Sequence, residues 1–307
     1  MNGNRSNSRD IARRLPFRGL IDGLARSYGD PVSILPRQRI VVSRGREFLI
    51  MPVADESHAG AKLITIVPEN SYDGEPVIQG LYALFDLSNG TPIAIMDAAE
   101  LTSRRTAAIS ALAADRLAAP AARRLLLIGS GNLVAYYAEA MMTVRRFDSI
   151  ELWARYRVKA DAAIGRIRGR IEYSDVRVAG DLEEAARNAD VICCLTSATA
   201  PLIFGDWLKP GAHLDCAGGY RPDMREADDK AFARGRIFVD DCAAVLSEAG
   251  DIIHPIATGA ITAASICGDI RDLARGAISR SAEEITIFKS VGTAVADLYS
   301  ARIALEA

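Results

Sequence analysis

The chain has 307 residues, half of them hydrophobic and a quarter charged, with a formal net charge of −2. That is core material for one large domain or two of ordinary size and excludes a disordered chain. The near balance of charge gives no footing for nucleic acid, and no run of about 18 uncharged apolar residues is present to span a membrane.

The polar start MNGNRSNSRD is expected to be frayed and lacks the apolar core of a signal peptide. Residues 10–28 carry apolar side chains at helical spacing and predict an opening helix. From about 38 to 97 the pattern changes to short β-rich runs, RIVVS, EFLIMPV, AKLITIVP, GLYALFDL and TPIAIMD, separated by turn residues such as SNGT at 88–91. These predict a mostly antiparallel sheet of about five strands. Residues 100–118 predict a helix with Thr102 as its N-cap.

Beyond about 122, strands and helices alternate. RRLLLIGSG is a buried strand ending in glycines, followed by an alanine-rich helix, and SIELWAR is a second strand. A helix near 157–169, a strand at VRVA, a helix at 181–188 and the strands ADVICCLTS, HLDCAG and RIFVDD follow, with helical spacing over 281–305. Such alternation indicates a parallel doubly wound sheet. The fold expected is α/β: a Rossmann domain over 121–287, and a smaller α+β substrate-binding and dimerisation domain over 1–120 with 288–307.

Gly129-Ser130-Gly131 closes an apolar strand and opens a helix through Asn132 and Leu133. In a dinucleotide loop the first glycine makes the tight turn, the next lets the backbone approach a pyrophosphate, and the helix start offers free amides. The third glycine position is Val134, a departure from the fingerprint. NAD-selective domains end their second strand on an acid; here it ends Trp153-Ala154-Arg155-Tyr156-Arg157. Two arginines and no acid favour NADP(H) over NAD(H), with Arg155 on the 2′-phosphate. Thr196-Ser197-Ala198 follows a later strand at the carboxyl edge of the sheet, where hydroxyls could reach a nicotinamide ribose or carboxamide.

Cys193, Cys194, Cys216, Cys242 and Cys267 form neither a CxxC pair nor a disulfide framework, as in a cytoplasmic protein with reduced thiols. His58, His213 and His254 show no ligand spacing, so no metal is expected. His213 and His254 have no evident partner and read as structural. Lys62 stands alone in an otherwise apolar strand, either at an exposed edge or facing inward to hold an anion. Arg105, in a helix opening beside Arg104, has the planar fork that grips a carboxylate.

The segments MPV at 51–53, AGAKL at 59–63, LTSRRTAAISALAA at 101–114, LLLIGSG at 125–131, NADVICCLTSATAPLI at 188–203, WLKPGAHLD at 207–215, RPDMREADD at 221–229, LSEAGD at 246–251 and FKSVGTAVADL at 288–298 together resemble the ornithine cyclodeaminase/mu-crystallin family. The resemblance implies a homodimer paired through its substrate-domain sheets. It assigns Arg105, Lys62 and Arg37 to the substrate carboxylate, with Arg39 a competitor for the place of Arg37, and sets Lys289 and Gly292 near the cofactor. Family activities include ornithine cyclodeamination, alanine dehydrogenation and ketimine reduction, so the fold leaves the reaction open.

Cyclodeaminases of this family carry an aspartate at the position of Tyr220. A phenol, with an ordinary pKa of about 10, is a poor base at neutral pH; Tyr220 could donate a hydrogen bond or only shape the pocket. Asp215 and Asp223 are offset in the motif, and Asp223 reads as a cap in a Pro-Asp turn. The pattern resembles the branch that reduces Δ1-pyrroline-2-carboxylate to L-proline, with Δ1-piperideine-2-carboxylate as a second candidate substrate. The proton donor is left open among solution, a bound water and Tyr220. The alternatives are an ornithine cyclodeaminase with bound NAD and a non-catalytic protein that sequesters a small ligand.

Overall fold

Pro16 divides the first helical stretch. The computed structural model describes residues 4–43, 45–72, 74–172, 175–276 and 278–307. Asn4–Ser6 forms strand β1, and helices Ser8–Arg14 (α1) and Phe17–Ser27 (α2) follow. The single helix expected over 10–28 is thus two, because proline lacks an amide donor and its ring excludes the preceding residue from helical backbone. The start is ordered rather than frayed from residue 4: Asn7 caps α1 through the amides of Arg9 and Asp10.

Ser33–Ile34 (β2), Gln38–Ser43 (β3), Arg46–Ala54 (β4), His58–Ile66 (β5), Ile78–Asp86 (β6) and Thr91–Asp97 (β7) follow. Among the described residues they form with β1 one sheet in the order β1-β7-β6-β5-β4-β2, with β3 also on β4. All its pairings are antiparallel except β1 with β7. The β1 edge and the short β2 were not expected.

The next helix, α3, runs Ala98–Leu117. Thr102 therefore lies inside it and does not cap it; Asp97 caps instead, accepting from the Glu100 amide at 2.8 Å. The chain divides into two compact units, residues 1–106 with 293–307 and residues 107–292, so the boundary falls within α3 rather than near 120. The C-terminal half of α3 belongs to the second unit: Ser110 Oγ meets Tyr137 Oη at 2.8 Å, and Thr286 Oγ1 donates to the Leu117 carbonyl at 3.0 Å.

The second unit continues through Arg124–Ile128 (β8), Leu133–Val144 (α4), Ser149–Trp153 (β9), Arg157–Arg168 (α5), Val176–Val178 (β10) and Leu182–Asn188 (α6). Val191–Cys194 (β11), His213–Cys216 (β12), Asp229–Arg234 (α7), Arg236–Val239 (β13), Cys242–Glu248 (α8) and Gly250–Ala257 (α9) come next. Ile266–Asp269 (β14), Ile270–Ala274 (α10) and Thr286–Lys289 (β15) complete it. The sheet order is β10-β9-β8-β11-β12-β15-β13-β14, and every pairing is parallel. This is the expected Rossmann-type doubly wound sheet. The helical reading of 281–305 fails in its first half. Thr286, Ile287, Phe288 and Lys289 are all buried, and β-branched and aromatic residues favour a strand between β12 and β13 there.

Ala294–Glu306 (α11) returns to the first unit and packs on α2, β4 and β5. The sheet face beneath it carries Met51, Val53, Lys62, Tyr82 and Leu84, all buried. Alternation puts Phe48, Ile50, Leu63, Leu81, Phe85 and Ile95 on the opposite face, and none of these is fully buried. That outer face is as apolar as the inner one.

Candidate active site

Two constellations stand out, one in each unit. In the first, Lys62 on β5 and Arg105 on α3 converge on one carboxylate, that of Asp297 in the first turn of α11. Lys62 Nζ lies 2.8 Å from Asp297 Oδ2, and Arg105 Nε lies 2.8 Å from Oδ1. Lys62 is 1% exposed, Arg105 5% and Asp297 0%. Burial pushes the Lys62 ammonium down to about 8; Asp297 opposes the shift, while Arg105 and Arg37 add to it. Burial alone would raise the Asp297 carboxyl, but Arg105 and then Lys62 outweigh it and hold the group below its ordinary range.

The consequence for Arg105 is geometric. Asp297 takes Nε, and the two terminal nitrogens have no partner among the described residues. A guanidinium held by its inner nitrogen presents its outer pair as a fork, which matches a carboxylate. Arg104, its neighbour, points elsewhere, to Glu100 at 2.7 Å and the Leu15 carbonyl at 3.0 Å. Arg39 gives both Nε and Nη2 to the buried Glu47, whereas the charge of Arg37 reaches Lys62. Tyr82, paired in register with Lys62, is fully buried, and its ring lies over Gly60, where an added Cβ would come within 1.9 Å of the hydroxyl.

In the second unit β8 ends at a sharp turn. Gly129 has φ 130°, and a Cβ there would sit 2.7 Å from the Leu195 carbonyl oxygen, so only glycine fits. A Cβ on Gly131 would meet nothing within 4 Å, which leaves the front of the turn open. Asn132 precedes α4 without a side-chain cap, and Leu133 begins the helix. Open space before uncapped helix amides fits a pyrophosphate. Val134, at the third glycine position, is fully buried. Arg166 of α5 donates to the carbonyls of Ser130 at 2.7 Å and Gly131 at 3.3 Å.

Past β9, Arg155, Tyr156 and Arg157 are exposed. Arg157 pairs with Asp161 at 3.1 Å, while Arg155 has no partner among the described residues. Ser197 is exposed and Ala198 half-buried. Thr196 is turned inward, its amide and hydroxyl donating to Glu226 Oε1 at 2.7 and 2.8 Å. Glu226 also accepts from the Gly218 amide at 2.8 Å, and Asp251 accepts from the Glu226 and Ala227 amides at 2.8 and 3.1 Å.

Lys289 is fully buried and lies 3.1 Å from Asp251. Burial would lower its ammonium, but Asp251 and Glu226 outweigh that and raise it. Its side chain thus belongs to an interior network with Asp251. The Gly292 amide donates to Asp240 at 2.7 Å.

Tyr220 is half-buried against the core of the second unit. Asp223, read as a backbone cap, takes the fork of Arg221 at 2.9 Å on each oxygen. His213 is buried, with Nδ1 2.9 Å from Thr286 Oγ1, and burial pushes its pKa down to about 3. The five cysteines are unpaired.

Asp297, Glu226, Asp251 and Arg166 were not singled out from sequence. Asp297 left a signal: a lone acid in the apolar run Val295-Ala296-Asp297-Leu298 mirrors the lone lysine at 62.

A parallel sheet with this turn and a buried lysine–arginine–aspartate cluster goes with an NAD(P)-dependent oxidoreductase. Residues 22–307 match the model of the ornithine cyclodeaminase/mu-crystallin family, and the chain belongs to that family. It is 34% identical to a Δ1-pyrroline-2-carboxylate reductase of Colwellia psychrerythraea over 306 residues, covering 96% of each chain. It is 36% identical to the ketimine reductase mu-crystallin of Rattus norvegicus over 270 residues, covering 87% of this chain and 82% of that one. A solved structure of the Thermococcus litoralis Δ1-pyrroline-2-carboxylate reductase, in complex with NADH and L-proline, superposes with a TM-score of 0.92 at 25% identity, over 99% of this chain and 96% of that one. Among the described residues, no helix is long and apolar enough to cross a membrane.

Proposed function

We propose that this chain reduces cyclic ketimine acids with NAD(P)H, taking Δ1-pyrroline-2-carboxylate to L-proline, with the six-membered Δ1-piperideine-2-carboxylate as a further substrate. The observation that carries this is the fork of Arg105, fixed by Asp297 beside the Lys62 ammonium. An anionic ring substrate would lay its carboxylate on Arg105 and Lys62, with Arg37 adding positive field. When bound, the reduced nicotinamide supplies the hydride. The chain's own part is to hold the acid so that the imine carbon meets that hydride at high effective concentration. Asp297 keeps two cations together at low cost, and the net charge of the trio leaves room for one anion.

The dinucleotide would lie on Gly129, Ser130, Gly131, Asn132 and Leu133, with Arg155 free to take a 2′-phosphate, so NADPH is the favoured cofactor. Thr196, Ser197 and Ala198 would line the nicotinamide end, with Lys289 and Gly292 acting through the network behind it. Tyr220 stands where cyclodeamination needs a carboxylate, which supports reduction of a preformed imine over conversion of ornithine. The apolar outer face of the first unit supports a homodimer in which two such sheets cover each other. Unpaired thiols fit a cytoplasmic protein.

The test is NADPH and NADH oxidation by the purified protein against a panel of cyclic imino acids, with ornithine plus NAD in parallel. Reduction of the five- or six-membered imino acid, with NADPH preferred, is expected. Ammonia and proline released from ornithine at a matching rate would overturn the assignment.

A further inference from the structure

We infer that Arg166 is a positioning residue for the phosphate-binding turn, setting dinucleotide affinity from behind without touching the dinucleotide. This rests on the nicotinamide-dependent reading above. Two observations carry it. Arg166 lies in the third turn of α5, 36 and 35 residues from the carbonyls it grips, and it donates to two consecutive ones, Ser130 at 2.7 Å and Gly131 at 3.3 Å. The turn is open at Gly131, where a Cβ would meet nothing within 4 Å, and Asn132 leaves the start of α4 without a side-chain cap.

Peptide planarity links the two sides. In a trans peptide the carbonyl of one residue and the amide of the next point in opposite directions. Holding the Ser130 carbonyl therefore aims the Gly131 amide away from the guanidinium, and holding the Gly131 carbonyl does the same for Asn132. These are the amides that would face the pyrophosphate. A cationic donor on the carbonyl also polarises its peptide, so the amide on the far side becomes the stronger donor. The turn needs such a brace because Gly129 and Gly131 are glycines, which lose more conformational freedom on ordering than other residues. Arg155, just past β9 and without a partner among the described residues, is the contrasting case, an arginine placed to read the ribose substituent directly.

Arg166 is exposed, so its replacement leaves the core intact. The experiment compares wild type, Arg166→Leu, Arg166→Lys and Arg155→Ala by titration calorimetry with ADP, NADH and NADPH, alongside steady-state kinetics. Arg166→Leu should weaken all three ligands by the same factor of about tenfold, the scale of a lost charged hydrogen bond. It should leave kcat at saturating cofactor unchanged, and Arg166→Lys should recover part of the affinity. Arg155→Ala should weaken NADPH alone. Unchanged affinities in Arg166→Leu would overturn the inference, as would a loss confined to NADPH, which would make Arg166 a direct ligand of the 2′-phosphate. A wild type that binds none of the three would overturn the dinucleotide reading itself, a result the variants cannot mimic.

Discussion

Replacing Arg105 by lysine keeps the charge and removes the geometry. In the native cluster Asp297 holds Nε at 2.8 Å and the terminal nitrogens have no partner among the described residues, where the proposed substrate carboxylate would bind. Lysine has one nitrogen for both tasks, and that nitrogen would compete with Lys62 for Asp297. The substrate carboxylate then loses a two-bond clamp and keeps at most one contact. A charged hydrogen bond contributes about 1.5–3 kcal/mol, and losing one partner of a desolvated pair costs about 2–5 kcal/mol. The expected loss is therefore about 2–4 kcal/mol, roughly 30- to 1,000-fold in kcat/KM. The assay is NADPH oxidation with Δ1-pyrroline-2-carboxylate, paired with the same ring lacking its carboxylate, Δ1-pyrroline. The variant should lose rate on the acid and little of whatever slow rate the wild type shows on the neutral ring. Equal losses on both rings would refute the clamp, because the damage would then lie elsewhere than in carboxylate binding.

Two further outcomes concern pH. Lys62 is charged below its value of about 8, so the KM for the imino acid should rise above that pH, by about tenfold per unit at the limit. The limb should be absent in Lys62→Met; its persistence there would assign it to another group. Asp215, fully buried on β12, has its carboxyl pushed from 3.8 up to about 7 chiefly by burial, with Ser110 opposing. The folded chain holds this proton more tightly than the unfolded one, so stability from it is complete below about 3.8 and is lost as pH rises to about 7. At about 1.4 kcal/mol per pH unit the whole loss is about 4 kcal/mol, of which about 3 falls between pH 5 and 8. Asp215→Asn should lack that decline in urea unfolding, and a wild-type-to-variant difference equal at the two pH values would disprove the assignment.

Periodicity carried most of the fold because its signals are local. The alternation in EFLIMPV and AKLITIVP is the trace of one buried face, and RRLLLIGSG is a strand buried on both. What stayed hidden was set by partners distant in sequence. Asn4–Ser6 is a strand only because the β7 edge is there to pair with. Thr286–Lys289 reads as part of a helical stretch until β12 and β13 flank it. In the site, Lys62 was conspicuous as a lone charge in an apolar strand and Arg105 as a carboxylate-gripping fork in a helix opening, but the carboxylate that organises them lies 192 residues beyond Arg105. Thr196 was noticed for its hydroxyl and Lys289 through the family resemblance, yet both pair with buried acids, Thr196 with Glu226 and Lys289 with Asp251.

The first unit is interrupted by residues 107–292, and this has a bearing on how the chain is made. During translation the second unit is a continuous stretch that can form its parallel sheet as it emerges, whereas the first has to wait for α11. Until then the nascent sheet has an uncovered apolar face on both sides, and Lys62 and Arg105 have no anion between them. Domains fold as units during synthesis, and incomplete ones expose surface to aggregation. A message cut short before Ala294 therefore yields a chain with its nucleotide unit encoded in full and its anchor missing. For this chain, quality control at the ribosome has its most vulnerable client in the oldest residues, not the newest.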